Sequence, residues 1–438
     1  MAGETTLRIL SAALGVIATA LITRQLGPGN LGYYGLLTLV MVTITNVLEY
    51  AQRPVMLRDL STNPSGAALS DYLRRRLQSS AVLAGAGVVV ILFTTSGERT
   101  AAGVVLALVM IPNNLSCVSV ILHANYRGDL IGLTIVVQSV LTIAGLILVR
   151  VFNGGLIAVA VQLWVVTLLS SLFVVVLSRR QLPFRVAWRA GDRRRRGREV
   201  DADRTSAAAP SKEPRLLLLT SVLTMVAWKL DLPTAYVMLG AVPAGIYAAS
   251  YRVLDQMTVL PSALVGVLTP RLSQLHSDGG AERDQTRGTR PDRLAVVTIA
   301  LASAASIVFW PFAGLIQEVI FGPGFTQSVT LMRLLASALP LICLRFILAS
   351  LFIVTRNYTG FLLASSVYFV GSLAFTILFT AAFGLKGTAT ATIVGELLFV
   401  IVCVLDPRTR RTAKPYFALA IVSCVVPAVA LLAVSIGM

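Results

Sequence analysis

Ionisable side chains stand inside long apolar stretches of this sequence, among them Lys229, Asp231, Arg252, Asp255, Arg333, Arg345 and Glu396. A charge surrounded by hydrocarbon is costly, so such groups face a partner or a polar cavity and mark binding sites or ion pathways. On a helix of 100° per residue, Thr220, Thr224, Asp231 and Thr234 fall within about 80° of one another, with Lys229 about 160° from Asp231. The stripe is expected to face a cavity, and Lys229 a neighbouring helix or the far side of a groove. A buried network holding both is the plainer alternative. Arg252, Asp255 and Gln256 share a helix face at i, i+3 and i+4. Either Arg252 and Asp255 form a structural pair, or the guanidinium exchanges its carboxylate for a phosphate, which it grips with two parallel hydrogen bonds. Arg345 lies deep in its apolar run, whereas Arg333 is close enough to an end to reach the interface. Thr388, Thr392 and Glu396 recur every fourth residue, as do Ser11, Gly15, Thr19 and Thr23, a stripe that reads as helix packing. Lys229, Arg252, Arg333 and Arg345 against Asp231, Asp255 and Glu396 give a basic balance, which favours an anionic ligand.

The elements that must position these groups follow from composition. The chain has 438 residues, 56% hydrophobic and 13% charged. Soluble proteins carry roughly 25% charged residues, so an ordinary cytosolic enzyme is excluded. Apolar runs fall at about 7–23, 33–51, 77–95, 101–122, 131–151, 156–178, 216–240, 245–268, 294–317, 330–354, 360–382, 387–405 and 416–437. Each is close to the 20 or so residues that cross a bilayer. They are continuous rather than alternating, which excludes a strand barrel and predicts an all-α polytopic membrane protein of about thirteen spans.

Lys and Arg crowd the loops after even-numbered spans, whereas those after odd-numbered spans hold only Arg24, Arg99, Arg150 and Lys386. The positive-inside rule therefore predicts a cytoplasmic N-terminus and an outside C-terminus. The net charge is +17, and its densest basic block, the loop 179–215, has only Phe184 and Trp188 for base stacking, so no nucleic-acid partner is expected. That loop reads as a solvated topology determinant, with contact to anionic lipid as a further reading. The short outer loops hold only Glu98 and Glu318 as acids and no histidine, so no enzyme is expected. Cys117, Cys343, Cys403 and Cys424 lie in apolar stretches, and His123 and His276 stand alone, so neither a disulfide framework nor a metal or other cofactor is predicted. Ala18-Thr19-Ala20 resembles a signal-peptide cleavage site, but the segment it ends has an internal counterpart.

That counterpart is a repeat. Leu26-Gly27-x4-Gly32-x-Tyr34 after span 1 matches Leu239-Gly240-x4-Gly245-x-Tyr247 after span 7 at an offset of 213. Asn125-Tyr126-Arg127-Gly128 matches Asn357-Tyr358-Thr359-Gly360 at an offset of 232, which Gly155 and Gly387 share. Spans 1–6 and 7–12 thus read as two copies of one bundle with the same orientation, an arrangement of transporters with the substrate between the halves. The division is 1–178 and 216–405 for the bundles, 179–215 for the linker and 406–438 for an added span.

Arg24-Gln25-Leu26-Gly27-Pro28 through Gly32-Tyr33-Tyr34 resembles the signature ending the first helix of polysaccharide flippases. Tyr251-Arg252-Val253-Leu254-Asp255, Leu260-Pro261, Thr269-Pro270-Arg271-Leu272-Ser273, Phe321-Gly322-Pro323-Gly324-Phe325 and Gly384-Leu385-Lys386-Gly387-Thr388 resemble later motifs in the same order. Over spans 1–12 the chain is similar to the Wzx-type branch of the multidrug/oligosaccharidyl-lipid/polysaccharide (MOP) exporter superfamily, many members of which have twelve or fourteen helices. The resemblance implies a V-shaped pair of six-helix bundles in the bacterial cytoplasmic membrane. These would flip a polyprenyl-pyrophosphate-linked oligosaccharide to the outer leaflet by alternating access, beside polysaccharide-assembly machinery. On this reading Arg24, Lys229, Arg252 and Arg345 attract the pyrophosphate, and Asp231 or Glu396 couples transport to a proton or Na⁺. A cation-coupled multidrug exporter is the alternative, and such a site should be net acidic.

Overall fold

The computed structural model describes residues 2–62, 66–124, 127–180, 212–277 and 293–405, with positions 407, 410, 416, 419, 423, 425 and 429 of the C-terminal segment. The stretch 181–211, Asn125-Tyr126 of the second repeat anchor and the rest of the thirteenth span lie outside the described residues. Helices follow one another as α1 (Ala2–Thr62), α2 (Gly66–Thr94), α3 (Glu98–Leu108), α4 (Met110–Leu115), α5 (Val120–Ala124), α6 (Gly128–Val151) and α7 (Leu156–Arg180). Then come α8 (Lys212–Trp228), α9 (Asp231–Leu239), α10 (Ala241–Ser277), α11 (Arg293–Ile316) with a π turn (Gln317–Phe321), α12 (Ser328–Ser337), α13 (Leu339–Val354) and α14 (Tyr358–Leu405). No strand occurs among the described residues. Eight helical stretches are long and apolar enough to cross a membrane, or nine with the bent pair α8 and α9.

Two of these stretches contain a fold-back. α14 has 48 residues but leaves helical geometry at Gly384 (φ 59°, ψ −139°). On either side of it Thr380 bonds Thr388 (2.8 Å), and Tyr368 packs edge-on against Phe399 with ring centroids 6.0 Å apart. Contacts that pair residues symmetrically about one position define a hairpin. α1 breaks at Gly27 (φ 64°, ψ 174°). Its first half runs beside α6 in the same sense, joined by Ser11 to Ser139 (2.9 Å) and Gln25 to the Gly154 carbonyl (3.0 Å). Its second half runs with α3 and α4, through Tyr33 to the Arg99 carbonyl and through Arg76, which donates to both the Thr45 carbonyl and Asn114. α7 runs with α3 and α4, as Ser171 bonding the Pro112 carbonyl and Glu98 lying beside Gly155 show. Gln162 of α7 bonds back to Thr142 of α6 across the turn between them, so those two helices are antiparallel. The two halves of α1 are therefore antiparallel as well.

Proline explains where other spans break. A proline has no N–H for the carbonyl four residues earlier and clashes with it. Pro340 leaves the Ala336 carbonyl without its helical partner, α12 gives way to α13 there, and Ser306 donates to that carbonyl at 2.6 Å. Pro233 removes the donor for the Lys229 carbonyl, and α8 ends at Trp228 with a 41° bend into α9.

The first repeat anchor is where the two copies touch. Gly240 (φ 93°, ψ −178°) has nearly the backbone conformation of Gly27, with a positive φ that glycine adopts without strain. Five residues on, a Cβ on Gly32 would stand 1.9 Å from the Ala241 carbonyl oxygen, and one on Gly245 would stand 1.7 Å from that of Pro28. The contact is reciprocal, as a pseudo-two-fold axis between the corners requires. α12 and α13 fill the centre, while α2 and α6 turn apolar faces such as Val89, Val90, Phe93 and Leu148 outward.

Candidate functional site

The break between α8 and α9 builds the polar centre of the molecule. Because Pro233 interrupts the ladder, the Lys229 and Leu230 N–H groups bond three rather than four residues back, to Val226 and Ala227. This tightened turn leaves Trp228, Lys229 and Asp231 on different sides and interrupts the continuous wheel on which the stripe rested. Asp231 opens α9 and is 4% exposed. Its carboxylate accepts hydrogen bonds from Thr392 (2.7 Å), Tyr247 (2.9 Å) and Thr376 (3.3 Å). Three hydroxyls from α10 and both arms of α14 thus converge on one carboxylate. The threonines expected to share its stripe do otherwise: Thr220 and Thr234 bond carbonyls of their own span, and Thr224 meets Ser365 of α14 at 3.0 Å. That face packs against α14 rather than an open cavity.

Arg345 and Glu396, 51 residues apart, form a sealed ion pair at 2.7 Å with side chains 3% and 2% exposed. Tyr368 donates to the other Glu396 oxygen at 3.0 Å. The guanidinium lies 4.4 Å from the ring centre of Trp228, 5.0 Å from Phe346 and 5.4 Å from Tyr368. Aromatic faces stabilise a desolvated cation through their quadrupole. Trp228, Asp231, Tyr251, Tyr368, Thr392 and Glu396 line one shared cavity with room for about one water.

A more open pair stands beside it. Lys229 Nζ lies 3.1 and 3.3 Å from the two Asp255 oxygens, with side chains 25% and 41% exposed. The ammonium sits 4.5 Å from the Tyr251 ring centre and 5.9 Å from that of Trp228. Asp255 therefore pairs with Lys229 instead of Arg252, its neighbour one turn away, because the Arg252 guanidinium lies 5.6 Å over Tyr34 of α1. Arg252 and Tyr34 thus bridge the two copies of the repeat, and next to them Gln256 packs against Gly15 of α1.

Arg24 stands apart from this centre, at the corner of α1. It donates to the Glu318, Val319 and Ile320 carbonyls at the end of the π turn, where a cation complements the helix C-terminus. Beside it opens a cleft of about 260 Å³ lined by Arg24, Gln25, Arg150, Asn153 and Gly154. Arg333 is tied to the neighbouring helix: it bonds the Trp310 carbonyl at 3.3 Å, and Trp310 returns a bond to the Arg333 carbonyl. The stripe of Ser11, Gly15, Thr19 and Thr23 makes helix contacts and back-bonds throughout.

Sequence reasoning placed Lys229, Asp231, Arg252, Arg345 and Glu396 and missed the aromatic and hydroxyl groups that hold them: Trp228, Tyr251, Tyr368 and Thr376. Tyr247 and Tyr251 carried a signal, as the last residue of the repeat anchor and the first of the Tyr251–Asp255 motif, but neither was read as a partner of the charges.

Comparison with known proteins bears on this arrangement. No protein-family model and no curated protein sequence matches the chain. Solved structures match nearly end to end. The inward-facing conformation of a multidrug resistance MATE family transporter of the MOP superfamily gives a TM-score of 0.63 at 14% identity, over 97% of this chain and 99% of that one. The lipid II flippase MurJ in its inward closed conformation gives 0.64 at 12% identity, over 99% and 97%. A MOP superfamily transporter from Pyrococcus furiosus gives 0.61 at 16% identity, over 94% and 95%. The fold is that of MOP superfamily transporters. With its apolar helices, the chain is a multi-pass membrane protein of this fold, a fold that hosts both flippases and drug exporters.

Proposed function

We propose that this MOP-fold protein flips a polyprenyl-pyrophosphate-linked oligosaccharide from the inner to the outer leaflet of the bacterial cytoplasmic membrane by alternating access, as a Wzx-type transporter. The observation that carries this reading is the half-open, aromatic-lined cationic face made by Lys229 and Arg252 where the copies meet. A pyrophosphate cannot enter hydrocarbon bare, and a cationic polar path lowers that barrier while the polyprenyl tail stays in the bilayer. Broken spans that bring side chains to the membrane midplane are the usual site of transporter binding, and the α8–α9 break supports Lys229 in that role.

Within this reading the candidate residues divide. Lys229 and Arg252 contact the headgroup. Asp231, held by neutral hydroxyls, is the carboxylate that takes a proton or Na⁺ to couple transport. Glu396 and Arg345 set the shape of the polar centre as a sealed pair, and Arg24 serves at the outer end, where it latches α1 to the π turn. Two six-helix bundles, an added thirteenth span, a cytoplasmic N-terminus, anionic lipid at 179–215 and contact with polysaccharide-assembly machinery complete the proposal. Asp231 also supports the second reading, a cation-coupled multidrug exporter, since a buried carboxylate without an ammonium in contact is suited to a cationic drug.

Native mass spectrometry of the purified protein distinguishes the two. Co-purified polyprenyl-pyrophosphate glycan that weakens in Arg252→Ala supports the flippase. Binding of hydrophobic cations that is lost in Asp231→Asn, with no such glycan, supports the exporter.

A further inference from the structure

The two ion pairs of the polar centre differ in what can reach them. Arg345–Glu396 is sealed, whereas Lys229–Asp255 keeps a quarter or more of each side chain exposed at the seam between the copies. Lys229 is held by Asp255 through both oxygens and by the faces of Tyr251 and Trp228, so any anion that reaches Lys229 must displace a carboxylate already in place. Arg252, one helical turn from Asp255, pairs with no carboxylate among the described residues; its guanidinium rests on Tyr34.

We infer that Asp255 selects cargo by charge: it makes the Lys229 site accept headgroups with two or more negative charges and reject the singly charged phosphodiesters of bulk lipid. The inference rests on the pyrophosphate reading of this site. Exchanging one carboxylate for one phosphodiester leaves the charge beside Lys229 unchanged, so a phospholipid gains little by entering. A pyrophosphate brings at least one further charge into a partly desolvated site, where attraction to Lys229 and to nearby Arg252 is stronger than in water. Asp255, being the more exposed partner, is solvated again once displaced. Rejection by an internal competitor is a way to discriminate against an abundant wrong ligand without optimising every contact to the right one.

The test is competition binding to the full-length purified protein, followed by native mass spectrometry, with farnesyl pyrophosphate and phosphatidylglycerol as probes. The wild type should hold farnesyl pyrophosphate and exclude phosphatidylglycerol. Asp255→Asn and Asp255→Ser should each bind phosphatidylglycerol about tenfold more tightly, shrinking the ratio between the probes. Adding Lys229→Gln to Asp255→Asn should abolish that gain. Two separate Asp255 variants keep one misfolded protein from deciding the result. If both fold and bind phosphatidylglycerol no better than wild type, while farnesyl pyrophosphate still binds, the selectivity inference is overturned and the pyrophosphate reading stands. If wild type binds no farnesyl pyrophosphate, that reading falls and takes the inference with it.

Discussion

At the offset that sets Gly27 on Gly240, the residues Lys229, Asp231, Arg252 and Asp255 of the second copy fall on Val16, Ala18, Leu39 and Val42 of the first. At the offset that sets Gly155 on Gly387, Thr376, Thr392 and Glu396 fall on Ala144, Ala160 and Trp164. The corners are alike in sequence and in backbone, down to the reciprocal contact of Gly32 and Gly245. The interiors are not. Among the described residues of the first copy Arg76 is fully buried, and it donates to neutral acceptors on Asn114 and Thr45. The second has Arg345 on a carboxylate, inside an aromatic cage. A repeat keeps the chain geometry that lets its copies pack and is free to place its chemistry in one of them.

The largest effect should come from unpairing the second copy's buried charge. Glu396→Ala leaves Arg345 without its carboxylate and should cost about 3–5 kcal/mol of stability, read by thermal unfolding in detergent. A near-neutral result would mean that Arg345 finds water, and the contrast with Arg76 would vanish. Next is the shared corner. Gly32→Ala or Gly245→Ala forces a methyl into backbone and should cost about 1–3 kcal/mol each while moving the two corners apart, measured by spin-label distances across them. Unequal costs would show that the copies do not share the contact equally. Asp231→Asn removes charge but keeps an acceptor for three hydroxyls. Ion-driven flux in proteoliposomes should fall about tenfold, the equivalent of some 1.4 kcal/mol, with a smaller change in unfolding temperature. Gradient-independent flux of wild-type size would remove Asp231 from coupling. The smallest effect belongs to the first copy: Gln162→Leu loses the bond to Thr142 and should cost about 1 kcal/mol with flux unchanged. A loss of flux there would place chemistry in both copies.

Particular residues show what could be read in advance. Pro233 and Pro340 mark breaks on elementary grounds, because the missing N–H is written in the residue type. Gly27 and Gly240 mark corners for a similar reason. The wheel set Thr224 and Asp231 toward one neighbour, but that neighbour is the packed helix α14 rather than an open cavity. Arg252 and Asp255 had pairing spacing, but Tyr34, far off in sequence, took the guanidinium and Lys229 took the carboxylate.

Sequence alone determined the all-helical, apolar character of the chain, its corner glycines, its proline breaks and which side chains carry charge into the apolar interior. Each follows from local properties: apolar length against bilayer thickness, backbone freedom at glycine, and the lost donor at proline. Only the tertiary structure decided the partners. Arg345 meets Glu396, and Asp231 meets Thr376 and Thr392, because α14 folds back at Gly384 and lays both its arms against the α8–α9 break. A charge declares its need for a partner in the sequence, but which partner satisfies it depends on helices brought together over long separations, a global property of packing that local spacing does not contain.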